Sequence, residues 1–310
     1  MDERVTLIGY TSDPSYTEHA VQFSPDGKDV ARGYRGPGWS GAEDELADGP
    51  GEIVRGISGE AVRILRKPDT PTVRMDLQTL FDQGYRSLAI VFAHSYTFPT
   101  HEQLVASLAR EVGFEHVSVS SELLPMIKMV PRGVSSTADA YLTPVLRAYL
   151  DGFFEGFDEG LKTGGEGARV EFMGSDGGLV DLDNFSGLKS ILSGPAGGVV
   201  GYALTSWDED ERRPIIGYVV DSHDASGAIL RSFIHSSLDV GGTSTDVSRF
   251  AGGRYEVVYE TTTAGVTIQS PQLDINTVAA GGGSCLVFRN GLFVTGPESA
   301  GADPGPACYR

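Results

Sequence analysis

The stretch Asp239–Asp246, reading DVGGTSTD, constrains the fold more tightly than any other part of the chain. Asp239 and Val240 would end a strand, Gly241 and Gly242 allow a tight turn with exposed N–H groups, and Asp246 leads back into a strand. Thr243, Ser244 and Thr245 add hydroxyl donors to the turn. Backbone amides and hydroxyls converging in this way suit phosphate oxygens. The flanking aspartates suit a magnesium ion, usually held through its waters. An ordinary Gly-Gly hairpin would use the same residues, so the octapeptide taken alone leaves both readings open.

Glycine is also the unusual feature of the composition, with 41 residues clustered in 174–201, 241–253 and 281–305. SGPAGGVVG (193–201) puts glycines before a helix, where free N–H groups and the positive dipole end favour an anion. It lacks the Gly-Lys-Ser/Thr ending of a P-loop, and close helix–strand packing explains it equally. The triple glycine Gly281, Gly282, Gly283 in DINTVAAGGGS (274–284) would let a flat group lie against backbone, or form a loop without a ligand. In SDGG (175–178), Asp176 is a catalytic candidate or a turn former. His94 and His101 in FAHSYTFPTHE are candidates for proton transfer or metal binding, against packing or capping roles.

The flanking patterns predict an α/β chain. Val73, Leu77, Leu80 and Phe81 are spaced for one helical face, and LAIVF (88–92) is a buried-strand run. HEQLVASLAREVGF (101–114) returns to helical spacing, with Leu104, Leu108 and Val112 on one side and Thr97 or Thr100 as the cap. HVSVS (116–120) alternates like a strand, so the order is helix–strand–helix–strand. A long helix is expected over 135–162, with Pro144 kinking it or marking its first turn. Strands are expected at 170–173 and 214–218, and a β-rich, glycine-punctuated region after 239. Residues 1–70 read as short strands, with an acidic surface loop over 33–58.

Charge and composition exclude several function classes. Lys plus Arg is 24 against 42 Asp plus Glu, a formal charge of −18, and no basic run offers a nucleic-acid or anionic-membrane footprint. No apolar window is long enough to span a bilayer. The N-terminal MDERVTLIGYTSD has no apolar signal core, and the two cysteines fit a reducing compartment, so the expected location is the cytosol. Two cysteines and six scattered histidines do not form a structural zinc set.

The motifs also occur in an order. HSYTFPTHEQLVASLAREVGF (94–114), PMIKMVPRG (125–133), ADAYLTPVL (138–146), FMGSDGGL (172–179), SGPAGGVVGY (193–202), GGTSTDVSRFAGG (241–253) and TAGVTIQSPQLDINTVAAGGGS (263–284) together resemble the hydantoinase A/5-oxoprolinase family, and within it the eukaryotic-type ATP-dependent 5-oxoprolinases. The resemblance implies an actin-like ATPase fold of the sugar kinase/heat-shock/actin superfamily, in which two lobes close over ATP. It implies ATP-dependent opening of a small cyclic amide, 5-oxo-L-proline, to L-glutamate in the glutathione cycle, by a parent enzyme that is a homo-oligomer. A related ATP-dependent hydantoinase or carboxylase subunit, or a nucleotide-binding fragment without turnover, are the alternatives. On this resemblance Gly241, Gly242, Thr243 and Thr245 hold phosphate, and Gly281, Gly282 and Gly283 pack near the nucleotide. Asp239 and Asp246 position magnesium or a water.

Three departures from the family pattern shape the expected domains. The family's first phosphate loop, DxGGTFTD-like, is absent, and the chain stops at GPACYR where the family continues. The expected fragment is therefore incomplete and inactive by itself: 1–130 from the family's N-terminal region and 131–310 from the hydantoinase A domain. The third departure is Val219–Leu238, VVDSHDASGAILRSFIHSSL, which interrupts an IIGY-to-DVGGTSTD junction that the family makes directly. Its twenty codons, opening on Val219-Val220, read as an intron translated in frame, against a genuine loop insertion.

Overall fold

The computed structural model describes residues 5–10, 18–22, 52–57, 61–157, 159–162, 169–206, 216–220, 236–251, 253–263, 265–301 and 305. Cys308, the interior of the interrupting segment (221–235) and most of the expected acidic loop lie outside these. The chain is mixed α/β and divides into two compact units. One comprises Met1–Phe157, Ser186–Leu188 and Thr262–Gln269, and the other Asp158–Phe185, Lys189–Thr261 and Ser270–Arg310.

The first unit contains β1 (Val5–Tyr10), β2 (Glu18–Gln22), β3 (Glu52–Arg55), β4 (Ala61–Arg66), α1 (Thr70–Asp82), β5 (Ser87–Phe92), α2 (Thr100–Val112), β6 (His116–Val119), α3 (Ser120–Leu123) and α4 (Met129–Phe154). β5 lies between β1 and β6 in a three-stranded parallel sheet. All six β5 residues are buried, as a central parallel strand requires. Leu88, Ile90 and Phe92 pack with Val73 and Leu77 of α1 and Val105, Leu108 and Ala109 of α2. On the opposite parity of β5, Val91 abuts α4, where a Cβ on Gly133 would stand 3.2 Å from Val91 Cγ1. The sheet is thus covered on both faces.

The helices follow the expected periods with local corrections. The buried face of α2 is His101, Glu102, Val105, Ala106, Leu108 and Ala109, and Leu104 is exposed. Leucine spacing alone placed the stripe one residue early, because it ignored the small alanines that let the helix approach β5. Neither threonine caps α2: Pro99 is the N-cap, and Gly113, with φ 116°, closes the helix in the left-handed conformation. The long helix starts at Met129 and ends at Phe154, with Pro144 inside it. β3 occupies part of the expected acidic loop.

Two buried polar networks tie this unit together. Glu102, fully buried, accepts from Phe92 N–H (2.7 Å), Ser120 Oγ (2.7 Å) and Ser121 N–H (2.9 Å). Arg132, also fully buried, donates to Ser120 Oγ (2.8 Å), Met126 O (2.5 Å) and Phe92 O. The strand end, α2, α3 and α4 are therefore joined through one opposite-charge pair of groups with satisfied hydrogen bonds. On α4, Asp139 accepts from Ser118 Oγ (2.7 Å), Thr143 Oγ1 (3.1 Å) and Leu188 N–H (3.1 Å), with His116 Nε2 3.5 Å away. Burial pushes its carboxyl up, but hydrogen bonds from His116, Ser118 and Leu188 N–H outweigh that and hold it at about 2.

The second unit continues with α5 (Glu159–Lys162), β7 (Glu171–Met173), β8 (Leu179–Asp181), α6 (Gly187–Ser190, whose first residues belong to the first unit), α7 (Ser193–Ser206), β9 (Ile216–Val220), β10 (Ser236–Val240) and β11 (Thr245–Ala251). Short strands β12 (Arg254–Tyr255), β13 (Val257–Val258) and β16 (Gln272–Leu273) lead to β17 (Ile275–Val278) and the hairpin β18 (Ser284–Arg289) and β19 (Leu292–Ser299), while β14 (Thr261–Thr263), from Thr262 on, and β15 (Val266–Ile268) belong to the first unit. The main sheet runs β12-β11-β10-β9, with β17 also paired to β11. Ala196 and Val199 of α7 pack with Leu273 and Ile275. Among the described residues no helix is long and apolar enough to cross a membrane.

Candidate functional site

The expected strand–turn–strand is present. β10 and β11 pair antiparallel around Gly241–Ser244, with Val240 opposite Thr245 and Asp239 opposite Asp246. Directly opposed residues of an antiparallel pair share one face of the sheet, so the two aspartates are neighbours. On the other side of Asp246 lies Thr277 of β17, whose Oγ1 donates to Asp246 Oδ1 at 2.5 Å. Asp239, Asp246 and Thr277 thus form one row across three strands. Two carboxylates directly opposed on a sheet repel each other, which is unfavourable unless a cation or proton is shared. Among the described residues no group of three or more His, Cys, Asp or Glu could hold a metal, so any ion here would complete its shell from hydroxyl, water or ligand oxygens.

The turn itself is held by a second loop. Gly241 N–H donates to Ser244 O (2.9 Å), closing the turn. Gly282 N–H donates to Gly241 O (2.9 Å), Gly283 N–H to Gly242 O (2.6 Å), and Thr245 Oγ1 to Ala280 O (2.5 Å). Gly281 N–H is satisfied by Ser284 Oγ (2.8 Å). A Cβ on Gly281 would stand 2.5 Å from Gly241 O and 2.7 Å from Ser244 N, and one on Gly283 would stand 2.9 Å from Gly242 O. These glycines are needed because two backbones approach too closely for any side chain. Gly242 and Thr243 are exposed at the tip.

The SGPAGG glycines lie within the first turns of α7 rather than in a loop before it. Gly198 permits a close approach: a Cβ there would lie 3.2 Å from Asp239 Oδ2, so this helix runs beside the carboxylate row. Three of the four glycine motifs therefore meet at one end of one sheet. The fourth does not join them through its aspartate. Asp176 Oδ1 accepts from Gly178 N–H (3.0 Å) and shapes the turn between β7 and β8, with Gly177 at φ 80°.

The two histidines separate clearly. His101 is buried, edge-on to Phe98 at 5.1 Å, and burial with the nearby charge of Lys67 pushes its imidazole down to about 4. It is a neutral packing residue. His94 sits exposed after β5 at φ 58°, a conformation uncommon outside glycine, and burial of part of its ring with the charge of Arg132 lowers its pKa.

Thr277 is the site feature that sequence reading missed. A signal existed for the aspartate row: Asp239 and Asp246 are placed symmetrically about a four-residue turn. Thr277 required the register of β17, which no local pattern encodes.

The hydantoinase/oxoprolinase family pattern matches residues 132–220 and 230–310, and its N-terminal-region pattern matches 35–113. The 5-oxoprolinase of Saccharomyces cerevisiae is 49% identical over 310 residues, covering 100% of this chain and 20% of its own length. The 5-oxoprolinase 1 of Arabidopsis thaliana is 50% identical over 263 residues, covering 85% of this chain and 19% of that protein. The chain therefore spans about a fifth of the length of these curated relatives. Among solved structures, the ATP-dependent caprolactamase from Pseudomonas jessenii superposes with a TM-score of 0.54 at 26% identity, covering 79% of this chain and 33% of that one. A nucleotide-free acetone carboxylase gives 0.55 at 22% identity, over 77% and 31%, a likeness of fold alone. With family patterns matched over 35–113, 132–220 and 230–310 and 49% identity to a 5-oxoprolinase across the whole chain, the chain belongs to the hydantoinase/oxoprolinase family.

Proposed function

We propose that the second unit carries one phosphate-binding face of an ATP-dependent hydrolase of cyclic amides, with 5-oxo-L-proline as substrate and L-glutamate as product. The observation that carries this reading is the opposed pair Asp239 and Asp246 directly below a glycine- and hydroxyl-rich turn. The all-oxygen donor set of Asp239, Asp246 and Thr277 suits magnesium, which would neutralise the phosphate oxygens of bound ATP. Gly242 and Thr243 offer amides and a hydroxyl at the tip, and Gly281–Gly283 keep that tip in shape. The nucleotide sits, in this reading, in an actin-like clamp whose other lobe supplies a second phosphate loop.

A five-membered lactam is resonance-stabilised and resists hydrolysis, so transfer of a phosphoryl group to its oxygen would make the ring carbon open to water. The protein's part is to position the phosphoryl group and to balance its charge. Identity near 50% to 5-oxoprolinases, against 28% to the caprolactamase alpha subunit, favours the five-membered ring.

Calorimetry with Mg-ATP tests the site, comparing the native chain with Asp239→Asn and Asp246→Asn. Binding that neither substitution weakens would sink the assignment. Isotope-traced turnover of 5-oxoproline, hydantoin and caprolactam by a chain of the relatives' full length tests the substrate.

A further inference from the structure

The segment 219–238 is not used by the proposed site, yet it lies immediately before it in the chain. The family pattern matches through 220, breaks, and resumes at 230, so the interruption falls inside this segment. The strands on either side of it have an unexpected relation. β9 and β10 are parallel neighbours, with Ile216 beside Ser236, Gly217 beside Ser237 and Tyr218 beside Leu238. Joining Tyr218 directly to Asp239 would put Ile216, Gly217 and Tyr218 into the places of those same three residues.

β9 therefore already stands at the level and in the direction needed to replace the first half of β10. It has only to move sideways by one strand spacing, about 4.8 Å, with no slide along its axis. In that seat Ile216, Gly217 and Tyr218 would face Arg249, Ser248 and Val247 of β11, the present partners of Ser236, Ser237 and Leu238. The parity of the strand is preserved, which matters because Ser248 and Phe250 of β11 are buried and Arg249 is exposed.

We propose that residues 219–238 are a dispensable insertion, and that the seat beside β11 accepts either of two strands: Ser236–Val240 when the insertion is present, or Ile216–Tyr218 continued into Asp239 when it is absent. The pairing of Asp239 with Asp246 is the same in both. An in-frame intron retained in the message would produce such a pair of chains, and the fold tolerates the longer one because a long excursion adds little closure entropy.

The test compares the full chain with two deletions, one lacking 219–238 and one lacking 219–237. The second leaves Leu238 in place and shifts β9 by one residue, which reverses its faces. Thermal unfolding should place the first deletion within about 4 °C of the full chain, and the second lower by more than about 4 °C or unfolded. Hydrogen exchange should show protection rising at 216–218 in the first deletion, with 245–251 unchanged. Failure of the first deletion to fold, or loss of protection over 245–251, would show that the insertion supplies an essential strand. Equal behaviour of the two deletions would show that register does not matter. Each of these results overturns the proposal. None of them depends on nucleotide binding, so the outcome is separable from that of the proposed function.

Discussion

Replacing Asp139 by asparagine probes the polar network that fastens α4 to the sheet of the first unit. Asparagine keeps the shape and can still accept from Leu188 N–H, but it carries no charge for His116, 3.5 Å away, and turns an amide toward Ser118 Oγ. The native carboxyl is held at about 2 against an ordinary 3.8. A depressed carboxylate releases its proton more readily in the folded chain than in the unfolded one, so it adds stability above the unfolded value. That stability is lost as pH falls toward the folded value. At 1.36 kcal/mol per unit, the contribution is about 2 kcal/mol near neutrality and about half of that near pH ~3. Urea unfolding read by exchange of the amides around 116–119 and 139–143 isolates the first unit. Asp139→Asn should lose about 2 kcal/mol near neutrality, and the gap to the native chain should narrow as pH falls from about 4 to about 2. A gap that stays constant over that range would refute an electrostatic origin and leave only lost packing.

Arg132→Met leaves Glu102 buried without its cation and should destabilise the first unit by about 3 kcal/mol in urea unfolding, with Glu102→Leu added to the same chain restoring much of it. The His101 imidazole should titrate near 4 by NMR, so the stability it adds by staying neutral is present above its unfolded value near 6.5 and is lost as pH falls toward 4. His101→Phe should remove that slope. Gly281→Ala places a methyl 2.5 Å from Gly241 O. It should cost about 1–3 kcal/mol, speed exchange at the Gly282 and Gly283 amides, and weaken Mg-ATP binding in calorimetry.

Much of the first unit is legible in the residues because its elements are long and periodic. A run such as SLAIVF has no polar face to offer water, so it can only be a strand covered on both sides. Gly113 ends α2 for a local reason, its left-handed φ of 116°. The buried pair Glu102 and Arg132 was not legible, since burial of a charge is decided by partners thirty residues apart. Asp139 is likewise one more polar residue on a helix until Leu188 N–H and Ser118 arrive from elsewhere in the chain. In the second unit the turn was legible from Gly241 and Gly242, but the start of β10 at Ser236 was not, because its first three residues lie in the Val219–Leu238 segment that interrupts the expected strand-to-loop junction.

The glycine clusters carry the functional reading furthest once their amides are assigned. A glycine-rich loop is usually read as a set of free N–H groups waiting for phosphate. Here the amides of Gly241, Gly282 and Gly283 are already committed to Ser244, Gly241 and Gly242 carbonyls, and that of Gly281 to Ser284 Oγ. The triple glycine is thus a brace for the first loop, and at Gly281 and Gly283 a side chain is excluded because a Cβ would stand 2.5 Å and 2.9 Å from backbone oxygens of that loop. What the brace presents is narrower: the tip at Gly242 and Thr243, above Asp239 and Asp246. A phosphate held there would meet backbone amides on one side and a cation on the carboxylate row on the other. A cation bound on that row would offset the repulsion between the two aspartates, so metal and nucleotide should bind this face cooperatively.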